Sequence, residues 1–249
     1  MTEAAGALLR QDGHSLAWRR TQGRGPTVVW LGGFHSDMTG TKAQVLADWG
    51  AETGHDVLRF DYFGHGQSSG RFSDGTISRW REDVLAILDG LTEGPVVLVG
   101  SSMGGWLAVL AALARPEGVR GLVLVAPAAD FTEALIRPAL SAEALEAIAR
   151  DGAWRRPSDY ADGAYEITRT LLDDGANWCV LPGPVAVNVP VRVLQGGCDP
   201  DVPWRHALAL AEAMAAEDVV FTLIRDGDHR LSRPQDLDRL VAAVSELAG

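Results

Sequence analysis

The stretch Gly100-Ser101-Ser102-Met103-Gly104 decides how the rest of this sequence is interpreted. An apolar run at residues 95–99 precedes it and a helical pattern at residues 105–115 follows it, so Ser102 stands between a predicted strand and a predicted helix. In that setting a G-x-S-x-G match predicts a nucleophile elbow, whose two glycines leave room for the neighbouring strand and helix. The same small residues also suit plain packing of a helix against a strand, so the remaining sequence must decide.

Partners for Ser102 are expected further along the chain, because a serine hydroxyl needs a base and the base needs an orienting acid. After a nucleophile elbow these partners follow in the order Asp or Glu, then His. Asp199 follows a predicted strand at residues 191–194, and His229 follows the next one at residues 219–224. Open α/β sheets bind ligands at the carboxyl ends of their strands, so these positions predict a triad of Ser102, His229 and Asp199.

Asp201 is an alternative acid, two residues beyond Asp199. We favour Asp199 because it is nearer to the strand end, whereas Asp201 is placed to cap the helix predicted near Trp204. His229 is the preferred base, since His206 falls inside a helical pattern and the other histidines precede Ser102. An imidazole accepts the serine proton and returns it to the leaving group near neutral pH.

Two backbone N–H groups are predicted to form an oxyanion hole, which stabilises the negative charge that develops on the reacting carbonyl oxygen. One is the N–H of Met103, directly after the nucleophile, and the other is the N–H of Phe34, on a glycine-rich loop after the strand at residues 27–31. A second glycine-rich turn at residues 59–68 lacks the spacing of a phosphate loop. We interpret it as a tight turn in which Asp61 bonds to the backbone.

Strands and helices alternate along most of the chain, which predicts an α/β fold with a doubly wound, mostly parallel sheet. An Asp-Gly pair between short apolar runs at residues 7–9 and 15–18 predicts an antiparallel hairpin at one edge. The continuous apolar runs are expected to be strands buried on both faces, at residues 27–31, 57–60, 96–99, 122–125, 191–194 and 219–224. Helical patterns lie at residues 41–52, 78–91, 105–115, 204–215 and 234–247.

One interval, residues 129–189, is too long for a simple crossover and carries helical patterns at residues 139–150 and 165–173. A structureless loop of that length is uncommon in a compact domain, so we interpret the interval as a helical cap inserted into an α/β core of residues 1–128 and 190–249. Apolar cap residues either line an acyl pocket or, as we favour, form the cap's own core; they include Phe131, Leu135, Trp154 and Trp178.

Composition excludes several classes of function. The 249 residues carry a net charge of -11, which opposes binding to nucleic acid, and no long uncharged apolar run predicts a membrane span. Cys179 and Cys198 are far apart in the sequence, so neither a disulfide framework nor a zinc site is predicted, and no metal or cofactor is expected. Residues 1–10 lack the pattern of a signal or transit peptide, which predicts a cytoplasmic protein.

Further short motifs stand in a fixed order along the chain: Gly33-Phe34, Ser36-Asp37-Met38, Gly40-Thr41-Lys42-Ala43, Arg59-Phe60-Asp61-Tyr62, Trp80-Arg81, Asp83-Val84-Leu85, Gly105-Trp106, Val202-Pro203-Trp204 and Asp228-His229-Arg230. With the elbow and the acid they resemble the α/β-hydrolase superfamily. They are more specifically similar to the branch that holds the mitochondrial palmitoyl-protein thioesterase, also a mycophenolic acid acyl-glucuronide esterase, and its bacterial relatives. The resemblance implies the triad Ser102, Asp199 and His229, with Asp199 as the acid.

Two departures from that branch are expected to matter. Gln195 stands where a histidine is common before the acid, which alters the packing near Asp199. The mitochondrial presequence of the branch is not recognised in this sequence, so we expect no mitochondrial address.

The activity implied is hydrolysis of a carboxylic ester or thioester through an acyl-enzyme on Ser102. The substrate would be a small-molecule ester or thioester, or an acylated protein, with S-depalmitoylation and acyl-glucuronide hydrolysis as candidate reactions. Two alternatives on the same scaffold remain open: a ligand receptor without catalysis, and a carbon–carbon bond hydrolase or cofactor-free peroxidase. Three cap arginines, Arg137, Arg155 and Arg156, are expected to be solvated charges rather than contacts for an anionic substrate group.

Overall fold

The structure, a computed structural model, describes residues 3–156 and 165–249. Its strands are β1 (Glu3–Leu9), β2 (Ser15–Thr21), β3 (Arg24–Leu31), β4 (His55–Phe60), β5 (Val96–Ser101), β6 (Val119–Val125), β7 (Ala153–Arg156), β8 (Tyr165–Thr168), β9 (Val191–Gly196) and β10 (Val219–Ile224). Its helices are α1 (Thr41–Thr53), α2 (Ile77–Leu91), α3 (Met103–Ala114), α4 (Ala142–Asp151), α5 (Arg169–Gly175), α6 (Trp204–Ala213) and α7 (Pro234–Ala248). Short 3-10 and π turns lie between some of these elements.

Eight strands form one sheet in the order β1-β2-β4-β3-β5-β6-β9-β10. β1 and β2 are the antiparallel edge hairpin that the Asp12-Gly13 turn predicts, and β2 joins the sheet antiparallel to β4. From β4 to β10 in sheet order, neighbouring strands pair parallel. Parallel pairing brings the carboxyl ends of these strands to one edge, so the loops that follow β3, β5, β9 and β10 converge there.

Side chains of the central strands alternate between two apolar cores, one on each face of the sheet. On β5, Leu98 packs into the core that includes residues of α2 and α3, whereas Val97 and Val99 pack into the core that includes residues of α1 and α7. A strand covered by helices on both faces has no solvent-facing side, which explains the continuous apolar runs. The predicted doubly wound, mostly parallel sheet is therefore confirmed.

The last strand departs from the expectation of burial on both faces. β10 lies at the edge of the sheet and pairs with β9. Val220 and Leu223 on this strand are 46% and 44% exposed. An apolar run does not distinguish an edge strand from a central one, because the position in the sheet depends on the whole topology.

The interval between β6 and β9 is only partly helical. The helical pattern at residues 139–150 corresponds to α4, but the prediction of a helix over residues 165–173 is wrong in its first part. Tyr165–Thr168 is strand β8, which pairs antiparallel with β7. The side chain of Thr168 accepts a hydrogen bond from the Leu171 N–H at 3.1 Å, which ends the strand and begins α5. The division into core and cap stays a prediction.

The same interval is fastened to helix α2. The Asp174 carboxylate accepts hydrogen bonds from the backbone N–H of Ser78 at 2.8 Å and from its hydroxyl at 2.5 Å. The indole N–H of Trp178 donates to the Ser78 hydroxyl at 2.7 Å, and the guanidinium of Arg81 lies 4.5 Å from the Trp178 ring centroid. Trp178 therefore joins this segment to α2, which agrees with a packing role rather than a role in lining a pocket.

Candidate active site

Ser102 occupies a strained turn between β5 and α3. Its backbone φ of 54° and ψ of -118° are uncommon for a residue with a side chain. A Cβ built on Gly104 would lie 2.1 Å from the carbonyl oxygen of Leu31, and a Cβ on Gly100 would lie 2.3 Å from the Gly104 oxygen. Only glycine fits either position without displacing backbone atoms. The turn therefore has the geometry that the elbow pattern predicts, with Ser102 at its apex.

Three side chains from three loops form one hydrogen-bonded chain. Asp199 Oδ2 lies 2.8 Å from His229 Nδ1, and His229 Nε2 lies 3.2 Å from Ser102 Oγ. The Asp199 side chain is fully buried, whereas the imidazole is 17% exposed. Because a carboxylate accepts, we assign the imidazole proton to Nδ1, which leaves Nε2 as the acceptor that faces the serine hydroxyl. This arrangement is able to withdraw a proton from Ser102.

Asp199, rather than its rival Asp201, bonds to the imidazole. The other oxygen of Asp199 accepts hydrogen bonds from the backbone N–H groups of Asp201 and Val202, both at 2.9 Å. The prediction that Asp201 is the cap of α6 is wrong, because the N-cap residue of α6 is Pro203. The Asp201 backbone instead helps to hold the Asp199 carboxylate.

One group of side chains among the described residues has the composition of a metal site. Asp199, Asp201 and His229 each offer a ligand atom, and these atoms lie within 4.8 Å of one another. A cation there would have to replace the 2.8 Å hydrogen bond between His229 and Asp199. Two of the three side chains, Asp199 and His229, are thus already engaged in the chain that leads to Ser102, and the absence of a metal requirement stays a prediction.

The two predicted oxyanion donors belong to segments that adjoin Ser102. Met103 is the first residue of α3, so its N–H has no partner within the helix. This N–H lies at the N-terminal end of α3, which is the positive end of the helix dipole. A Cβ built on Gly33 would lie 3.4 Å from the Cβ of Ser102, which places the loop that carries Phe34 beside the nucleophile. Within residues 3–156 and 165–249, neither N–H donates to a backbone carbonyl.

Polar side chains at the end of β4 hold the loop that carries Phe34. The Tyr62 hydroxyl donates to the Gly32 carbonyl at 3.2 Å. The Arg59 guanidinium donates to the Met38 carbonyl at 2.8 Å, and the Asp61 carboxylate accepts from the Met38 N–H at 2.7 Å. These contacts fix the loop on both sides of the predicted oxyanion donor.

Asp61 also connects this loop to the turn after β4. Its second oxygen accepts from the Gln67 N–H at 2.7 Å, as the interpretation of a tight turn requires. Burial raises the pKa of the Asp61 carboxyl, and the backbone donors on Gln67 and Met38 lower it. Sequence reasoning found the bond within the turn and missed the bond to Met38. The roles of Arg59 and Tyr62 could have been predicted from one feature of the sequence: both are polar residues at the end of a buried strand, where they need hydrogen-bond partners.

Aromatic rings surround the side chain of Phe34. The Phe34 ring centroid lies 4.9 Å from that of Phe72, 5.8 Å from Trp80, 5.5 Å from Phe131 and 5.4 Å from Tyr165. Two of these rings, Phe131 and Tyr165, belong to the interval between β6 and β9. Apolar surface from the core and from this interval therefore meets beside the oxyanion loop, where it is suited to contact a hydrophobic part of a substrate.

Fold and site together define a hydrolase of the α/β type, and comparisons with known proteins agree. A family model described as serine aminopeptidase, S33 matches residues 25–157. Mitochondrial palmitoyl-protein thioesterase ABHD10 is 39% identical in Bos taurus and 38% identical in Mus musculus, each over 241 residues. These alignments cover 96% of this chain and 78% and 81% of the two relatives.

Solved structures give the same result. A putative hydrolase from Agrobacterium vitis S4 superposes with a TM-score of 0.96 at 44% identity, covering 100% of both chains. Alpha/beta hydrolase domain-containing protein 10 from mouse superposes with a TM-score of 0.90 at 37% identity, covering 98% of both chains. The chain belongs to the α/β-hydrolase family and is a homologue of the ABHD10 thioesterases. The predicted resemblance and the predicted α/β-hydrolase fold are confirmed.

Proposed function

We propose that this protein hydrolyses carboxylic esters or thioesters through an acyl-enzyme on Ser102. The observation that carries the proposal is the hydrogen-bonded chain from Asp199 through His229 to Ser102, with 2.8 Å and 3.2 Å between the bonded atoms. Family membership supports a hydrolase of the thioesterase or esterase kind, and the strained turn presents the serine hydroxyl to this chain.

The reaction proceeds in two halves. His229 Nε2 takes the proton of Ser102 as the serine oxygen attacks the acyl carbonyl, while the N–H groups of Met103 and Phe34 stabilise the oxyanion. The intermediate expels an alcohol or thiol, which receives the proton from His229. Water then attacks the acyl-enzyme with His229 as base and releases the acid. Asp199 keeps the imidazole oriented and stabilises its charged form in both halves, and no step draws on a cofactor.

The substrate class is proposed to be an ester or thioester with an apolar acyl group. The rings around Phe34 support this choice, as does the name of the ABHD10 relatives, palmitoyl-protein thioesterase. S-depalmitoylation of an acylated protein and hydrolysis of an acyl glucuronide are the finer candidates. Among the described residues, every helix is too short or too polar to cross a membrane. The cytoplasmic location stays a prediction, because those relatives are mitochondrial by name.

A fluorophosphonate probe tests the nucleophile directly. We expect the wild-type protein to be labelled, the Ser102→Ala variant to be unlabelled, and the matched Ser101→Ala variant to be labelled like the wild type. Unlabelled wild type, or undiminished labelling of Ser102→Ala, contradicts a serine hydrolase and favours a receptor without catalysis.

Turnover of acyl esters of increasing chain length, each with its matching thioester, tests the substrate class. We expect kcat/KM to rise with acyl length, because each methylene buried in an apolar site contributes about 0.8 kcal/mol. A protein that is labelled at Ser102 but inert toward every member of the series would instead favour carbon–carbon bond hydrolysis or peroxidation.

A further inference from the structure

A buried glutamine at the end of β9 lies against the acid of the site. Gln195 is fully buried, and the strand residues before it, Val193 and Leu194, are apolar. Its amide nitrogen lies 3.1 Å from Asp199 Oδ2, 3.1 Å from the Gly196 carbonyl and 3.0 Å from the Val202 carbonyl. A buried amide among apolar neighbours is unfavourable unless it is hydrogen-bonded, so these three bonds explain why Gln195 is tolerated there.

The orientation of the Gln195 amide follows from its neighbours. All three partners are acceptors, so the NH2 group must face them, since the reversed amide would set its oxygen against three other oxygens. The amide oxygen finds no donor within the described part of the chain. Gln195 therefore directs its donors toward Asp199 and the surrounding backbone, although its own acceptor gains no protein partner in return.

Gln195 and His229 bond to the same oxygen of Asp199. Asp199 Oδ2 accepts from the Gln195 amide at 3.1 Å and from His229 Nδ1 at 2.8 Å. Asp199 Oδ1 accepts from the backbone N–H groups of Asp201 and Val202. Donors on both oxygens restrict the orientation of the carboxylate, and the amide dipole withdraws part of the negative charge that faces the imidazole.

We propose that Gln195 is a positioning residue for the reaction, which holds Asp199 Oδ2 toward His229 and limits how strongly the carboxylate stabilises the charged imidazole. The proposal rests on the proposed function, because it acts through the triad. Removal of the amide donor leaves Asp199 Oδ2 held, among the described residues, by His229 alone, so the carboxylate is less firmly positioned and kcat falls. It also leaves more negative charge on Oδ2, which stabilises the charged imidazole more strongly.

Other charged groups lie near the His229 loop. Asp201 offers a ligand atom within 4.8 Å of those of His229 and Asp199, and the Lys42 ammonium of α1 donates to the carbonyl of Arg230. Burial lowers the pKa of Lys42 to about 8, and the charge of Asp228 opposes that shift. These groups are the same in the wild type and in every variant below, so a difference between their pH profiles is caused by the residue at position 195.

The test compares Gln195→Met with Gln195→His. Methionine matches glutamine in length and flexibility but offers no donor, whereas histidine retains an N–H. For Gln195→Met we expect kcat on an activated ester to fall about tenfold, as suits loss of one hydrogen bond to a charged group, with KM changed less than twofold. We also expect the acid limb of its kcat/KM profile to move upward in pH, because the carboxylate then stabilises the charged imidazole more strongly. Gln195→His should retain most of kcat, because its N–H can still donate to Asp199.

Each outcome decides between the alternatives. If Gln195→Met keeps the wild-type kcat and acid limb, the positioning role is overturned. If both variants lose activity equally while the acid limb stays in place, Gln195 serves only the stability of the fold, and the proposal is again overturned. Thermal melting checks folding, and Gln195→Leu replaces the methionine variant if that one does not fold. A wild-type protein that neither turns over esters nor reacts with fluorophosphonate would be a failure of the proposed function.

Discussion

Asp61→Asn tests whether the loop that carries Phe34 must be held in place for catalysis. The substitution keeps the shape of the side chain but replaces one acceptor oxygen with an NH2 donor. Asp61 uses both oxygens as acceptors, for the N–H groups of Met38 and Gln67, each at 2.7 Å. An asparagine accepts only one of these bonds and sets its NH2 against the other N–H.

The size of the effect follows from these contacts. A buried donor left without its acceptor costs about 2 kcal/mol. Burial raises the pKa of Asp61, so the wild type already carries part of a desolvation penalty that the neutral amide avoids. We therefore expect the free energy of unfolding to fall by about 1 kcal/mol.

The effect on the reaction should exceed the effect on stability. Complete loss of one oxyanion donor costs about 3 kcal/mol of transition-state stabilisation. Arg59 and Tyr62 still hold the loop at Met38 and Gly32, so we expect about half of that loss, which corresponds to a fall in kcat of about tenfold. KM should change little, because the misplaced N–H acts mainly on the developing oxyanion.

Asp130→Asn is the matched control for this measurement. Asp130 is also a buried carboxylate whose pKa is raised by burial, and it accepts from the N–H groups of Val180 and Leu181 at 2.9 Å and 2.8 Å. Those contacts are not on the loop that carries Phe34. Steady-state kinetics and urea unfolding of both variants should show similar losses of stability and a larger loss of kcat for Asp61→Asn. Equal losses of kcat, or an Asp61→Asn kcat within twofold of the wild type, would refute the reasoning.

Two further predictions concern the pH dependence of stability and the elbow. Burial lowers the pKa of His65 from 6.5 to about 4, so between these values the unfolded chain binds more protons and stability is lost as the pH falls. Urea unfolding should therefore show that, between pH 7 and pH 4, the free energy of unfolding falls by about 3 kcal/mol more for the wild type than for His65→Phe. An equal fall with pH for both proteins would contradict a buried neutral imidazole. Gly104→Ala should lose more than about 3 kcal/mol of stability or fail to fold, because its Cβ would lie 2.1 Å from the Leu31 oxygen. The half-buried Gly118, where a Cβ would lie 3.3 Å from the Arg115 Cβ, is the control: Gly118→Ala should unfold within about 1 kcal/mol of the wild type, and similar losses for both variants would count against the elbow geometry.

Most of the fold and of the candidate site can be predicted from the sequence, because the signals are local. The apolar runs of β5 and β9 and the residues that directly follow them place Ser102 and Asp199 at one edge of a parallel sheet without any knowledge of side-chain contacts. The parallel register also explains why loops that are distant in sequence meet at His229, which lies within hydrogen-bond distance of both Asp199 and Ser102.

The features that sequence reasoning missed depend on contacts between distant segments. Ile167, Leu171 and Leu172 are buried at a spacing typical of a helix, yet pairing with β7 makes the first of them part of a strand. Asp201 precedes α6 at a suitable distance for a cap, but its backbone turns toward Asp199. The effect of Gln195 on the packing near Asp199 is expected from the sequence, but its hydrogen bond to the carboxylate arises from the turn after β9, whose shape no residue type in the sequence specifies.

The central claim is that Ser102 becomes acylated during turnover, and intact-mass measurement tests it most directly. Wild-type protein quenched in acid during turnover of an activated ester should gain the mass of the acyl group, and fragmentation of its proteolytic peptides should place that mass on Ser102. The adduct should be absent from Ser102→Ala and should accumulate in His229→Gln if deacylation is the slower step there. Turnover without any acyl adduct, or an adduct that maps to Ser101, would contradict the account.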